Sequence, residues 1–153
     1  YVRRDRVRDL WPLYGDEGFA ADDIRKLNHT GTHPVHTDLA IEDAIAFHEA
    51  IGIRRKEARL RWLQQYWTTK VRGIPRVQLF TPRDPARTGA IANVGIAGLT
   101  PADLATVLMD RYQIFTVAID TAGVTGVRVT PQLFTTSAEL DVLVRAITEI
   151  ARS

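Results

Sequence analysis

The chain has 153 residues, enough for one domain with a buried core, and its 45% hydrophobic and 25% charged content is that of an ordinary globular protein. It contains no cysteine, which excludes disulfides, a thiolate nucleophile and a cysteine-held metal, and no apolar run approaches the roughly 20 residues of a membrane span. A formal charge of +2, from 20 basic and 18 acidic residues, is too small to argue for a nucleic-acid partner.

The chain opens Tyr1-Val2-Arg3-Arg4 without an initiator methionine, and its one methionine is Met109, so a piece of a longer protein is expected. Nothing at the start resembles a signal peptide, and a cytoplasmic location is the expectation. Tyr1-Val2 reads as a strand end. Residues 3–10 read as a short charged helix with Val7 and Leu10 on one side, stopped by Pro12. Residues 15–34 form a polar connection whose length inside a compact domain points to function or mobility. A helix is predicted from about Asp38, with Thr37 as N-cap, until Gly52 interrupts it. A second helix over residues 54–71 presents Leu60, Leu63, Trp67 and Val71 on one stripe.

From Gly73 the period changes. Residues 77–80 and 90–96 read as strands separated by the proline- and arginine-bearing segment 81–88. Thr100-Pro101 starts a helix with proline at its first position, Asp103 in its first turn and Leu104, Val107 and Leu108 on its buried face. Residues 114–119 are almost continuously apolar, as a strand covered on both faces would be. Strand, helix and strand over 90–119 make a right-handed crossover unit. Gly126-Val127-Arg128-Val129-Thr130-Pro131 is a short apolar strand interrupted by one cation. Thr136 with Glu139 three residues later fits a capping box, after which Leu140, Leu143, Val144, Ile147 and Ile150 recur at helical spacing. The order of elements predicts an α+β fold, a small mixed sheet with helices packed on it.

Several residues invite chemistry. His29, His33 and His36 lie close together near Asp22, Asp23 and Asp38, but Pro34 disfavours helix at His33 and the spacing matches no metal motif, so no metal is expected. His48 reads as a packed mid-helix residue. The run Arg54-Arg55-Lys56-Glu57-Ala58-Arg59-Leu60-Arg61, followed by Trp62, Tyr66 and Trp67, has the composition of a nucleic-acid surface. The plainer account, and the one the small net charge favours, is a solvated helix face with Arg55 and Arg59 on an outward stripe and the aromatics inside. Gly89, Gly95 and Gly98 form no phosphate-cradling loop. Arg128, on a strand end backed by a capped helix, offers a rigid fork suited to a planar carboxylate, or else meets only water. In Thr30-Gly31-Thr32 a glycine permits close backbone approach to an anion and the hydroxyls can donate to it, although a plain turn has the same composition.

Taken together and in order, five segments resemble the C-terminal part of class V aminotransferase-like enzymes of pyridoxal-phosphate fold type I, in particular isopenicillin N epimerase-like members. They are Tyr1-Val2-Arg3-Arg4-Asp5, His29-Thr30-Gly31-Thr32, Ala44-Ile45-Ala46-Phe47 with Ile51-Gly52, Arg59-Leu60-Arg61-Trp62-Leu63, and Gly126 to Pro131 with Thr135-Thr136-Ser137-Ala138-Glu139-Leu140. The resemblance implies that residues 1–36 are the end of the large-domain segment with its Gly-Thr connecting loop, and residues 37–153 the C-terminal small domain. It implies pyridoxal 5'-phosphate as cofactor and an amino acid as substrate, with no nucleic acid or membrane partner. Arg128 would clamp the substrate's α-carboxylate. Thr32, with the Gly31 backbone, would reach across a homodimer interface to the cofactor phosphate of the partner subunit. The cofactor-bearing lysine would precede Tyr1, because Lys26, Lys56 and Lys70 are not in the family's lysine context, and no catalytic residue lies in this chain. Persulfide-forming members carry a cysteine in the loop before the arginine strand, and the matching loop here, residues 120–125, has none. The implied activity is epimerisation or transamination of an amino acid; a non-catalytic α+β domain binding a small carboxylate or a protein partner is the alternative.

Overall fold

The computed structural model describes residues 1–14, 18–28, 31 and 34–153. They divide into two compact units, Tyr1–Phe47 and His48–Ser153, with the division inside the first long helix. In the first unit, short 3-10 helices at Arg4–Asp9 and Ile24–Leu27 precede α1, Val35–Ile51. Val7 and Lys26 are its buried described residues. The Lys26 ammonium is tolerable there because it donates to the carbonyl oxygens of Leu10, at 2.7 Å, and Ala21. Asp23 caps the second 3-10 helix by accepting from the Arg25 N–H.

The second unit begins with the last residues of α1. Gly52, at φ +85°, separates α1 from α2, Ile53–Val71, a conformation that any other residue would adopt only with strain. The strands are β1 Val77–Leu79, β2 Ala92–Ile96, β3 Val117–Thr121 and β4 Val124–Val129, with α3 Pro101–Tyr112 between β2 and β3 and α4 Ser137–Arg152 closing the chain. The sheet order is β1-β2-β4-β3.

Local chemistry accounts for the boundaries. Thr100 caps α3 by accepting from the Asp103 N–H, with Pro101 at the first position. Thr136 and Glu139 form the reciprocal capping box on α4: the Thr136 N–H donates to Glu139 Oε2 at 2.7 Å, and the Glu139 N–H to Thr136 Oγ1 at 3.2 Å. Ala122 and Gly123, both at positive φ, make the two-residue turn that joins β3 to β4.

One core organises this unit. Ala92, Val94 and Ile96 of β2 and Val127 and Val129 of β4 share a sheet face and cluster with Leu63, Trp67 and Val71 of α2, Leu104 and Leu108 of α3, and Leu140, Leu143, Ile147 and Ile150 of α4. Trp67 is wholly buried, its indole N–H without a partner among the described residues. At the rim, Asp141 of α4 accepts from the Tyr66 hydroxyl at 3.0 Å and pairs with Lys70, tying α2 to α4. The Lys70 bond, then that of Tyr66, holds the Asp141 carboxyl below the usual range. A lowered folded-state pKa stabilises above the unfolded value of about 3.9, and the contribution is lost as pH falls through the folded pKa. The melting temperature of Asp141→Asn should therefore lie below that of the parent at neutral pH, and the two should converge near about pH 2. A gap that stays constant down to that pH would mean the tie is not electrostatic.

The α+β class and the helices over α2, α3 and α4 follow the sequence reading. Several details differ, the first being that residues 1 and 2 belong to no strand. Every hydrogen-bonded strand pair is antiparallel, so the sheet is not mixed: β2 and β3 run in the same direction, as a crossover requires, but β4 inserts between them. The apolar run at 114–119 is only partly strand, and β3 is a largely exposed edge rather than a strand covered on both faces. Helix α1 begins at Val35, and the Thr37 hydroxyl donates to the Pro34 carbonyl at 2.6 Å inside the first turn instead of capping it. His48 is exposed, its Nδ1 3.2 Å from the Lys56 ammonium, not packed.

Candidate functional site

Arg128 lies on β4, a central strand, opposite Asn93 of β2 and Val117 of β3. Alternation sends its neighbours Val127 and Val129 into the core and leaves the Arg128 side chain on the opposite face, exposed. Its guanidinium makes no hydrogen bond or ion pair with a described residue. The backbone beneath it is fixed by a strand on either side, so an unspent planar fork stands on a rigid base.

That base is tight. A Cβ added to Gly126 would come within 2.5 Å of Asn93 Oδ1 and closer still to the Val94 carbonyl oxygen. One added to Gly95 would lie 2.5 Å from the Thr125 carbonyl oxygen and 3.1 Å from the Phe80 ring. Extending the β2–β4 register by one residue puts Gly95 opposite Gly126. Two facing glycines thus let the Asn93 amide and the Phe80 ring settle against the sheet beside Arg128. Both polar atoms of the Asn93 side chain are buried without a partner among the described residues. Reading the sequence missed this residue, and its one signal is an amide at an alternate position in the otherwise apolar run 90–96. The strand end beyond Arg128 lines a cavity of about 440 Å³ with Thr116, Pro131 and Leu143, and Arg128 is not among its walls.

Gly31 belongs to the first unit. It has φ +67° with open space where a Cβ would stand, a conformation that favours glycine. Thr32, its proposed companion, lies outside the described residues, as do His29, Thr30 and His33. Among the described residues no group of three His, Cys, Asp or Glu side chains could hold a metal ion.

The three lysines are all engaged. Lys26 is spent on two carbonyls, Lys56 faces His48, and Lys70 pairs with Asp141 with its ammonium 3.7 Å from the Tyr66 ring centroid. The basic run of α2 is also structural in part. Arg59 donates to the Thr135 carbonyl at 2.8 Å and stacks 4.8 Å from the half-exposed Trp62, so it bridges to the α4 entry instead of facing water. Arg61 pairs with Glu57 and donates to the carbonyls of Pro85 and Thr88.

The family model for class-V aminotransferases matches residues 14–146. The chain belongs to this family. It is 27% identical over 134 residues to an isopenicillin N epimerase of Amycolatopsis lactamdurans, covering 87% of this chain and 34% of that protein. Two cysteine desulfurase structures share its fold. The one from Escherichia coli has a TM-score of 0.79 at 20% identity, covering 99% of this chain and 41% of that one. The other, from Thermococcus onnurineus NA1 and solved without ligand, has a TM-score of 0.72 at 18% identity, covering 83% and 34%. The chain thus spans about a third of the curated relative's length. Class-V aminotransferase family members use pyridoxal phosphate. Among the described residues no helix is long and apolar enough to cross a membrane.

Two residues, each within its own unit, fit the chemistry of such a cofactor and its substrate. An unpaired guanidinium on a rigid strand suits a carboxylate, and an open, left-handed glycine suits backbone approach to a phosphate. Lys26, Lys56 and Lys70 each meet a partner within this chain: two backbone carbonyls, His48 and Asp141 respectively.

Proposed function

We propose that this chain is the C-terminal part of a pyridoxal-phosphate-dependent enzyme acting on an amino acid, by epimerisation or transamination. Residues 1–36 end its large-domain segment and residues 37–153 form its small domain. Its location is cytoplasmic, and its partners are the amino-acid substrate and a second copy of the same chain. The carrying observation is Arg128: an exposed guanidinium, bonded to no described residue, on a central strand of the sheet.

When bound, the cofactor supplies an electron sink for the bonds at the substrate's α-carbon. The part of this chain is to hold. Arg128 takes the α-carboxylate through a two-pronged contact, which fixes that end of the substrate and orients the α-carbon. Gly31 and Thr32 serve the cofactor phosphate of the partner subunit, the glycine by close backbone approach and the threonine by its hydroxyl. Neither group moves a proton. That task, and the cofactor-bearing lysine, fall to residues before Tyr1. The epimerase relative favours a reaction at the α-carbon, and the want of a cysteine in residues 120–125 speaks against persulfide chemistry in this segment.

Cofactor fixed to the full-length protein with borohydride and located by peptide mapping should be found on a lysine outside residues 1–153. Label on Lys26, Lys56 or Lys70 would overturn the division of labour. Independently, Thr32→Ala should weaken cofactor retention by about 1 kcal/mol or somewhat more, the range for a hydrogen bond to a charged group, while the dimer persists. Unchanged retention would leave Thr30-Gly31-Thr32 as a plain turn.

A further inference from the structure

A second cation pair lies away from Arg128, in a cleft of about 500 Å³ between the last turns of α2 and residues 82–88. Its walls carry Arg72 and Arg83 with glutamine and threonine side chains, and no aspartate or glutamate. Neither arginine has a hydrogen bond or ion pair with a described residue. Both guanidiniums belong to the lining of this one cleft, where burial, and next the charge of Arg83, push the Arg72 guanidinium below its usual range, a cost that a bound anion would reduce.

The cleft is held open by the fold. Arg61 fastens the far wall to α2 through the carbonyls of Pro85 and Thr88, and Asp84 caps the turn by accepting from the Ala86 N–H at 2.9 Å. The near wall includes the Gln64 side chain of α2. The C-terminal end of α2 works against an anion, but a helix end carries about half a charge and the two guanidiniums carry two.

We propose that this cleft binds a phosphate-class oxyanion, gripped by Arg72 and Arg83 and hydrogen-bonded by Gln64. Two guanidiniums lining one cleft suit a dianion better than a single carboxylate, which one fork satisfies. The site is independent of the pyridoxal-phosphate reading, which uses neither arginine.

Inorganic phosphate titrated into the protein should shift the Arg72 and Arg83 Nε–H resonances together and to saturation. Arg72→Gln and Arg83→Gln should each weaken the apparent Kd at least tenfold. Arg87→Gln, which removes the same charge from an exposed residue outside the cleft, should change it less than twofold. Arg83 is exposed, so its replacement leaves the fold intact and keeps the comparison valid if Arg72→Gln is unstable. Shifts that never saturate, or an Arg87→Gln effect equal to that of Arg83→Gln, would reduce the cleft to a diffuse positive field. Succinate binding as tightly as phosphate would overturn the assignment to phosphate-class ligands.

Discussion

Gly126→Ala is expected to destabilise the protein by about 3 kcal/mol or more, at the upper end of what overpacking costs. The added methyl would press on the Val94 carbonyl and on Asn93 Oδ1, and the first of these is backbone. It cannot turn aside as the end of a flexible side chain would. Relief requires β2 and β4 to separate, which breaks the ladder that holds Arg128 and opens the core formed by Val94 and Val127. Gly89→Ala is the matched control: its Cβ meets nothing within 4 Å, and it should cost no more than about 0.5 kcal/mol. Urea midpoints for the two variants decide the matter. Equal midpoints would mean that the strands are not as close as described.

Arg128→Ala in the full-length enzyme should lower kcat/KM for the amino-acid substrate by about two orders of magnitude or more, equivalent to about 3 kcal/mol. Arg128→Lys should recover only part of this, because the ammonium keeps the charge but not the planar pair of donors. Stability should hardly move in either variant. The side chain is exposed and bonded to no described residue, so replacement breaks nothing in the fold, and surface changes of this kind stay within about 0.5 kcal/mol. Loss of turnover together with loss of fold would assign Arg128 to structure instead.

Much of this architecture was legible in the residue pattern where local rules act alone. The capping box at Thr136 and Glu139, the Thr100-Pro101 start and the glycine break at Gly52 are each decided within a few residues, and each stands where expected. Strand pairing was not legible, because it depends on partners far along the chain. The apolar run at 114–119 looks like a covered strand, yet the two-residue turn at Ala122-Gly123 folds β4 back between β2 and β3 and leaves β3 at the edge. Arg128 was visible as a lone cation in an apolar strand. Asn93 gained its interest only from register, which places it opposite Arg128 and beside Gly126. The engagement of Arg59 and Arg61 was hidden as well, since their acceptors are backbone carbonyls of distant segments.

The most direct test of the central claim compares two substrates rather than two proteins. The amino acid and the corresponding amine, which lacks only the carboxylate, are each turned over by the parent enzyme and by Arg128→Ala. If Arg128 holds the carboxylate, the variant should lose about a hundredfold or more on the amino acid and almost nothing on the amine, because the amine never used the contact. Equal losses on both substrates would contradict the account.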